Sequence, residues 1–334
     1  MVDLDFVAEN VEQEYKEAKH CVGFIDRSDV GRIKVTGRDR ADLLHRISTN
    51  DINGLLPGQG SVTCLTDEKA RIVDLLTVYV FDDHLLLLCA PNHVDRVIQW
   101  MLHFRIREKF FLEDVTDGTV MMSPVGMKAS TVLHGLTGQD VSILPLHYHC
   151  AVELNGMSTI FARTFPLGGD GFNVIVDAVF SDVLSNSFLE LGALSKYGDR
   201  VFDILRVEAG LPVFGREITD EANPLDVGLH GSVSDTKGCY IGQEVIARLT
   251  AQEKTRLKLV GLALDGDILP PFHAALEYDG KGIGWLTSAI HSPEFGAIGL
   301  GYIKGDRALG EAVQVTWDGG DSSAETVGLP FTVS

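Results

Sequence analysis

The chain lacks the cysteine pattern of secreted and zinc-binding proteins. Its 334 residues contain five cysteines, an odd number, and no two of them form a Cys-x-x-Cys pair. This count argues against a disulfide framework and against a zinc site of the usual spacing. It is typical of a reducing compartment. We therefore expect a cytoplasmic protein without a structural metal.

Long apolar runs and basic charge are also scarce. The densest apolar run, residues 85–90, is far shorter than the roughly 20 residues that cross a bilayer. Residues 1–6 have neither the basic start nor the apolar stretch of a signal peptide. With 28 basic against 47 acidic residues, the net charge of −19 repels phosphate backbones and anionic membranes. We expect neither membrane attachment nor direct nucleic-acid binding.

The remaining composition is that of a globular protein, with 45% hydrophobic and 22% charged residues. Apolar and β-branched segments form predicted hairpins next to helical patterns, which favours an α+β fold with antiparallel sheets over an alternating parallel sheet. From about residue 254, short strands alternate with Gly, Pro and Asp turns, as in a small β-barrel or sandwich. We therefore expect an α+β region over 1–253, in two interleaved lobes divided near residue 120, and a C-terminal β-domain over 254–334.

Cys239 is the residue with the clearest potential for chemistry. Lys237 lies two positions earlier, and a helix is predicted to begin near Gly242. Both a cation and a helix N-terminus stabilise a thiolate. The alternative is a buried structural cysteine, and local sequence alone leaves both interpretations open.

Two charged residues lie where charge is unexpected. Asp74 interrupts an apolar strand, so its carboxylate is either desolvated and engaged with a basic nitrogen, or turned towards solvent. Arg206 lies near the end of a helix predicted over 199–209. It can hold a ligand carboxylate through two parallel hydrogen bonds, or form an intramolecular ion pair.

A pair of histidines, His147 and His149, would share one face of a strand. Cys150 follows directly, so a metal site is conceivable. No third ligand with suitable spacing is evident, and we expect no metal there.

Residues 237–244 read Lys-Gly-Cys-Tyr-Ile-Gly-Gln-Glu, with Arg248 shortly after. This segment resembles the signature of the YgfZ-type folate-binding proteins, Lys-Gly-Cys-Phe/Tyr-x-Gly-Gln-Glu. The YgfZ type is itself similar to the T-protein of the glycine cleavage system, an aminomethyltransferase. Further segments resemble that wider superfamily, so that the resemblance covers nearly the whole chain: residues 23–28, 205–212, 223–229 and 258–303.

The resemblance implies a ring of domains around a central pocket that binds tetrahydrofolate or another reduced folate. It also implies a role in iron–sulfur enzyme maintenance or tRNA modification, with iron–sulfur assembly or client proteins as partners. Cys239 would be the functional thiol. The folate contacts would come from the side chains of Asp74, Asp170, Arg206, Lys237 and Tyr240.

The chain departs from the T-protein pattern at three places. A paired Asp-Asp strand motif keeps one acidic residue, Asp74. A turn with two pterin-binding glutamates becomes residues 167–173, where Asp170 can compensate. Cys239 stands where T-proteins commonly carry aspartate. These departures favour the YgfZ type over the alternative, a folate-dependent aminomethyltransferase in which Asp74 orients or polarises the folate amine. A third possibility is a degenerate scaffold without a ligand.

Overall fold

The computed structural model of the protein describes residues 4–154, 156–193, 195–251 and 255–332. Its α-helices, in chain order, are α1 (Leu4–His20), α2 (Arg40–Ile47), α3 (Val94–His103), α4 (Ala129–Thr137), α5 (Ser181–Glu190), α6 (Asp199–Glu208) and α7 (Gln243–Ala251). None of these described helices combines the length and the apolar character needed to cross a bilayer.

The strands of the same residues are β1 (Gly23–Asp26), β2 (Gly31–Thr36), β3 (Gly60–Thr66), β4 (Ile72–Val80), β5 (Leu85–Cys89), β6 (Phe111–Asp114), β7 (Thr119–Gly126), β8 (His149–Leu154), β9 (Met157–Thr164), β10 (Asp170–Asp177), β11 (Lys196–Tyr197), β12 (Leu257–Leu264), β13 (Ala275–Tyr278), β14 (Lys281–Ser292), β15 (Gly296–Lys304), β16 (Ala312–Trp317) and β17 (Gly320–Val327).

The strands form three sheets. One has six strands in the order β11-β1-β7-β10-β9-β8, and a second has five in the order β3-β4-β5-β2-β6. The third is a closed barrel, β12-β15-β14-β13-β16-β17. Pairing is antiparallel in each sheet, as between β2 and β5, whereas β1 and β11 run parallel. The predicted α+β class is confirmed, and the C-terminal β-domain is a barrel and not a sandwich.

The chain divides into two compact units that alternate along the sequence. The first consists of Met1–Leu65, Val73–Phe202 and Ser232–Ile241. The second consists of Thr66–Ile72, Asp203–Gly231 and Gly242–Ser334. The short return at 232–241 therefore places Lys237 and Cys239 in the first unit. The predicted boundaries near 120 and 254 stay predictions.

Strand β5 shows why residues 85–90 do not alternate between apolar and polar side chains. All five of its residues are buried. One face of the five-stranded sheet packs against α2 and α3, where Leu87 and Met101 belong to one apolar core. The other face packs against the six-stranded sheet, where Leu86 and Ile175 share a second core. A strand covered on both faces is apolar throughout, which accounts for the run at 85–90.

His147 and His149 lie in the interior of the first unit. His149 begins β8, and its ring lies 5.3 Å from that of Tyr79 and 4.4 Å from that of Phe81. His147 has a φ of 65° and precedes the strand, so the expected common strand face is wrong. Among the described residues, neither buried Nδ1 atom has a hydrogen-bond partner. Burial lowers the pKa of each imidazole to about 4.

These buried imidazoles predict an acid-sensitive fold. In the unfolded chain each has a pKa near 6.5, so between about pH 6.5 and pH 4 the unfolded state binds more protons. The free energy of unfolding should therefore fall as pH drops through that window, by about 1–3 kcal/mol per histidine. Urea denaturation at several pH values measures the slope. His149→Phe should flatten it, whereas His103→Asn, at an exposed position, should not. An unchanged slope in His149→Phe would contradict the assignment.

Candidate functional site

The segment 232–241 is held in place by a buried cation. The side chain of Lys237 is almost fully buried, and its ammonium donates hydrogen bonds to the carbonyl oxygens of His45, Ser48 and Asn50. The distances to Ser48 and Asn50 are 2.6 and 2.9 Å. Because an ammonium group has three N–H donors, all of them are used.

These carbonyls lie at and just beyond the C-terminus of α2, where a helix leaves carbonyls without intrahelical partners and carries partial negative charge. Lys237 thus caps a helix from a distant part of the chain. Burial lowers the pKa of Lys237 to about 8, and the nearby carboxylate of Asp51 acts in the opposite direction. A direct hydrogen bond from Lys237 to Cys239 or to folate would require it to give up at least one of these bonds.

The start of the same segment is fixed by a polar network. Thr49 Oγ1 donates to the carbonyl oxygen of Ser232 at 2.6 Å, and the backbone N–H of Ser234 donates to the carbonyl oxygen of Thr49 at 3.0 Å. Beneath them, Cys64 Sγ lies 3.3 Å from Ser232 Oγ. Burial raises the pKa of the Cys64 thiol to about 12, so this cysteine stays protonated.

Cys239 differs from the other four cysteines. It is exposed, whereas Cys64 and Cys89 are buried and the remaining two are half-buried. The alternative of a buried structural cysteine is therefore wrong. Helix α7 begins four residues later, at Gln243. The thiol is presented to solvent by a segment whose neighbouring residues are fixed.

Two further signature residues explain how the segment ends. The ring centroid of Tyr240 lies 5.2 Å from Lys237 Nζ, within the range of a cation–π contact. Burial raises the pKa of the Tyr240 hydroxyl to about 12. Gly242 has a φ of +82°, and a Cβ there would lie 2.7 Å from the carbonyl oxygen of Asp67. Only glycine suits this turn.

Asp74 is completely buried, so the alternative in which it faces solvent is wrong. Its carboxylate accepts hydrogen bonds from the backbone N–H of Ala90 at 3.3 Å and from His93 Nδ1 at 2.9 Å. His93 directly precedes α3. The predicted basic nitrogen is therefore present within the chain, and the sequence did not single it out because 19 residues separate the two partners.

Arg206 lies in the second unit and is also buried. Its guanidinium donates to Asp203 Oδ1 at 2.7 Å, Glu217 Oε2 at 3.1 Å and Ser288 Oγ at 2.9 Å. Glu217 has no exposed surface and accepts a further hydrogen bond from Thr287 Oγ1 at 2.9 Å. The intramolecular ion pair is thus the interaction that the structure shows. Holding a ligand carboxylate would require Arg206 to exchange these partners.

Asp170 begins β10 and is paired with a neighbouring cation. Arg163 Nη2 donates to Asp170 Oδ1 at 2.7 Å, and the same guanidinium lies 4.8 Å from the ring centroid of Phe172. Asn173, three residues further along β10, accepts a hydrogen bond from Ser123 Oγ at 2.8 Å. A pterin contact at Asp170 would therefore share the carboxylate with Arg163.

The predicted site residues fall into separate groups. Lys237 and Tyr240 contact each other, while Asp74, Asp170 and Arg206 are bound to other partners. Within the part of the chain that the structure describes, no group of three or more His, Cys, Asp or Glu side chains is placed to hold a metal ion.

Two sheets with their helices, followed by a six-stranded barrel, define an aminomethyltransferase-like fold. The crystal structure of glycine cleavage system aminomethyltransferase T from Bartonella henselae superposes with a TM-score of 0.87 over 96% of this chain and 89% of that one, at 22% identity. The GCVT N-terminal domain family matches residues 4–237, and the glycine cleavage T-protein C-terminal barrel domain family matches residues 258–332. The chain belongs to the GCVT, or glycine cleavage T-protein, family.

Curated relatives agree with this assignment. An aminomethyltransferase of Geobacillus kaustophilus is 31% identical over 331 residues, covering 96% of this chain and 90% of the relative. An aminomethyltransferase of Caldanaerobacter subterraneus is 30% identical over 314 residues, covering 92% and 84%. The predicted superfamily is confirmed, and the YgfZ type within it stays a prediction.

The contacts of Lys237 predict a large loss of stability in Lys237→Met. Methionine keeps an apolar stem but leaves three carbonyls at a buried helix end without their donor, which should cost about 3–5 kcal/mol. Urea denaturation followed by circular dichroism measures the change. The control, Lys304→Met, removes one exposed hydrogen bond to Gly282 and should cost less than about 1 kcal/mol. Equal stability of the two variants would show that Lys237 is not the anchor.

Proposed function

We propose that the protein binds tetrahydrofolate, or another reduced folate, and acts as a YgfZ-type accessory protein in iron–sulfur enzyme maintenance or tRNA modification. The observation that supports this proposal best is the exposed thiol of Cys239 on a segment fixed through Lys237. An exposed thiol can meet a client protein, whereas a buried one cannot. Membership of the GCVT family supports the folate ligand.

The distribution of the other thiols strengthens this interpretation. Burial raises the pKa of both Cys64 and Cys89, which keeps them protonated and inert. Cys150, which is half-buried, also has a raised pKa because of burial. Cys21 is half-buried, which leaves Cys239 as the one exposed cysteine.

A second candidate function is folate-dependent aminomethyl transfer, in which a one-carbon unit passes to tetrahydrofolate. The pair of the buried Asp74 and the partly exposed His93 favours it, because it offers a polar group able to orient or polarise a folate amine. The aminomethyltransferase relatives also favour it. In this function Arg206 would hold a carboxylate only after exchanging its partner Glu217.

Calorimetric titration with tetrahydrofolate tests the ligand shared by both candidates. Saturable binding in the micromolar range is expected, with weaker binding of fully oxidised folic acid as the comparison. No heat up to roughly millimolar tetrahydrofolate, a binding free energy weaker than about −4 kcal/mol, would remove both candidates and leave a scaffold without a ligand.

Complementation separates the two candidates. In a bacterial strain without its own YgfZ-type protein, the wild type should restore iron–sulfur enzyme activity, and Cys239→Ala should not, although it still binds tetrahydrofolate. Cys21→Ala is the matched control and should restore activity. Full rescue by Cys239→Ala would exclude the thiol from the mechanism. Formation of methylene-tetrahydrofolate from an aminomethyl-lipoyl donor would instead support the transferase.

A further inference from the structure

Among the described residues of the first unit, three histidines lie beside an aspartate, one of them being His45 beside Asp51. The other two pairs differ mainly in the burial of the carboxylate. His93 Nδ1 lies 2.9 Å from Asp74 Oδ2, and His84 Nδ1 lies 2.6 Å from Asp83 Oδ1. The imidazoles are equally accessible, at 19% and 18% exposure. The carboxylates are not, because the side chain of Asp74 is 1% exposed and that of Asp83 is 80% exposed.

The burial of Asp74 limits what it can touch. One carboxylate oxygen accepts the backbone N–H of Ala90 and the other accepts His93. The charge of Asp74 also acts on the thiols of Cys64 and Cys89. Burial, together with this charge, raises the pKa of each thiol. Asp74 presents essentially no surface to a ligand, whereas His93 does.

The pair also determines which nitrogen of the His93 ring carries the proton. A carboxylate only accepts hydrogen bonds, so Nδ1 of His93 must carry the proton. In the neutral imidazole the lone pair then belongs to Nε2. The backbone N–H of His93 donates to the carbonyl oxygen of Ala90 at 3.1 Å, so both the backbone and the ring are held in place.

We propose that His93 is the side chain of this pair that contacts the reduced folate, and that Asp74 is a positioning residue that fixes the orientation and the tautomer of His93. The proposal rests on the folate binding proposed above. A tetrahydropteridine ring carries N–H donors, which suit an imidazole whose acceptor nitrogen is set by a carboxylate on its other side.

The first experiment uses the protein without ligand. Nuclear magnetic resonance of ¹⁵N-histidine-labelled protein reads the tautomer of each imidazole. The wild type should show His93 in the Nδ1–H form. Asp74→Leu places an apolar side chain in an apolar strand and removes the carboxylate, so this variant should lose that preference. A merely structural Asp74 would leave the tautomer unchanged. That result would overturn the positioning role.

The second experiment adds tetrahydrofolate. The resonances of His93 should shift, and His93→Ala should weaken binding about tenfold or more. His93→Asn keeps a donor for Asp74, so it should retain the wild-type stability and still bind more weakly than the wild type. The matched control, His84→Ala, removes the pair with Asp83 and should bind tetrahydrofolate within about twofold of the wild type.

The outcomes distinguish this proposal from the folate proposal on which it rests. If the wild type binds tetrahydrofolate while the His93 resonances stay unmoved and His93→Ala binds like the wild type, His93 is not a ligand contact and the folate function stands. If the wild type does not bind, the folate function fails and the ligand role of His93 fails with it. The tautomer in the ligand-free protein still decides the role of Asp74.

Discussion

The ammonium of Lys237, bound to three backbone carbonyls, is the interaction on which the candidate site depends. It donates to carbonyls at and just beyond the end of α2, and it ties a segment near residue 237 to one near residue 48. In the same segment, Thr49 Oγ1 donates to the carbonyl oxygen of Ser232, and the hydroxyl of Ser232 lies beside Cys64.

The neighbouring residues of the signature segment, 237–244, therefore have different roles. Lys237 anchors, Tyr240 covers the ammonium, and Gly242 makes a turn that a side chain would block. Cys239 is exposed, and it is the one thiol of the segment. A motif that looks uniformly functional in sequence thus contains mostly structural residues around one reactive group.

From the sequence, the kinds of secondary structure could be predicted better than the hydrogen-bond partners of the charged side chains. The α+β class and the short strands of the C-terminal β-domain could be predicted because the patterns that indicate them are local. The bonds of Asp74 to His93 and of Arg206 to Glu217 join residues 19 and 11 positions apart, and those of Lys237 span roughly 190. No local pattern specifies such partners. Hence charged residues that suggested ligand contacts proved to be occupied within the chain.

Lys237 thus holds the segment 232–241 in place while Cys239 remains accessible. Alkylation of the native protein with iodoacetamide, mapped by mass spectrometry, tests it directly, because Cys64 lies buried beneath Ser232. In the wild type we expect rapid labelling of Cys239 and protection of Cys64. In Lys237→Met, under conditions where that variant is still folded, we expect Cys64 to lose its protection. Equal protection of Cys64 in the two proteins would contradict it.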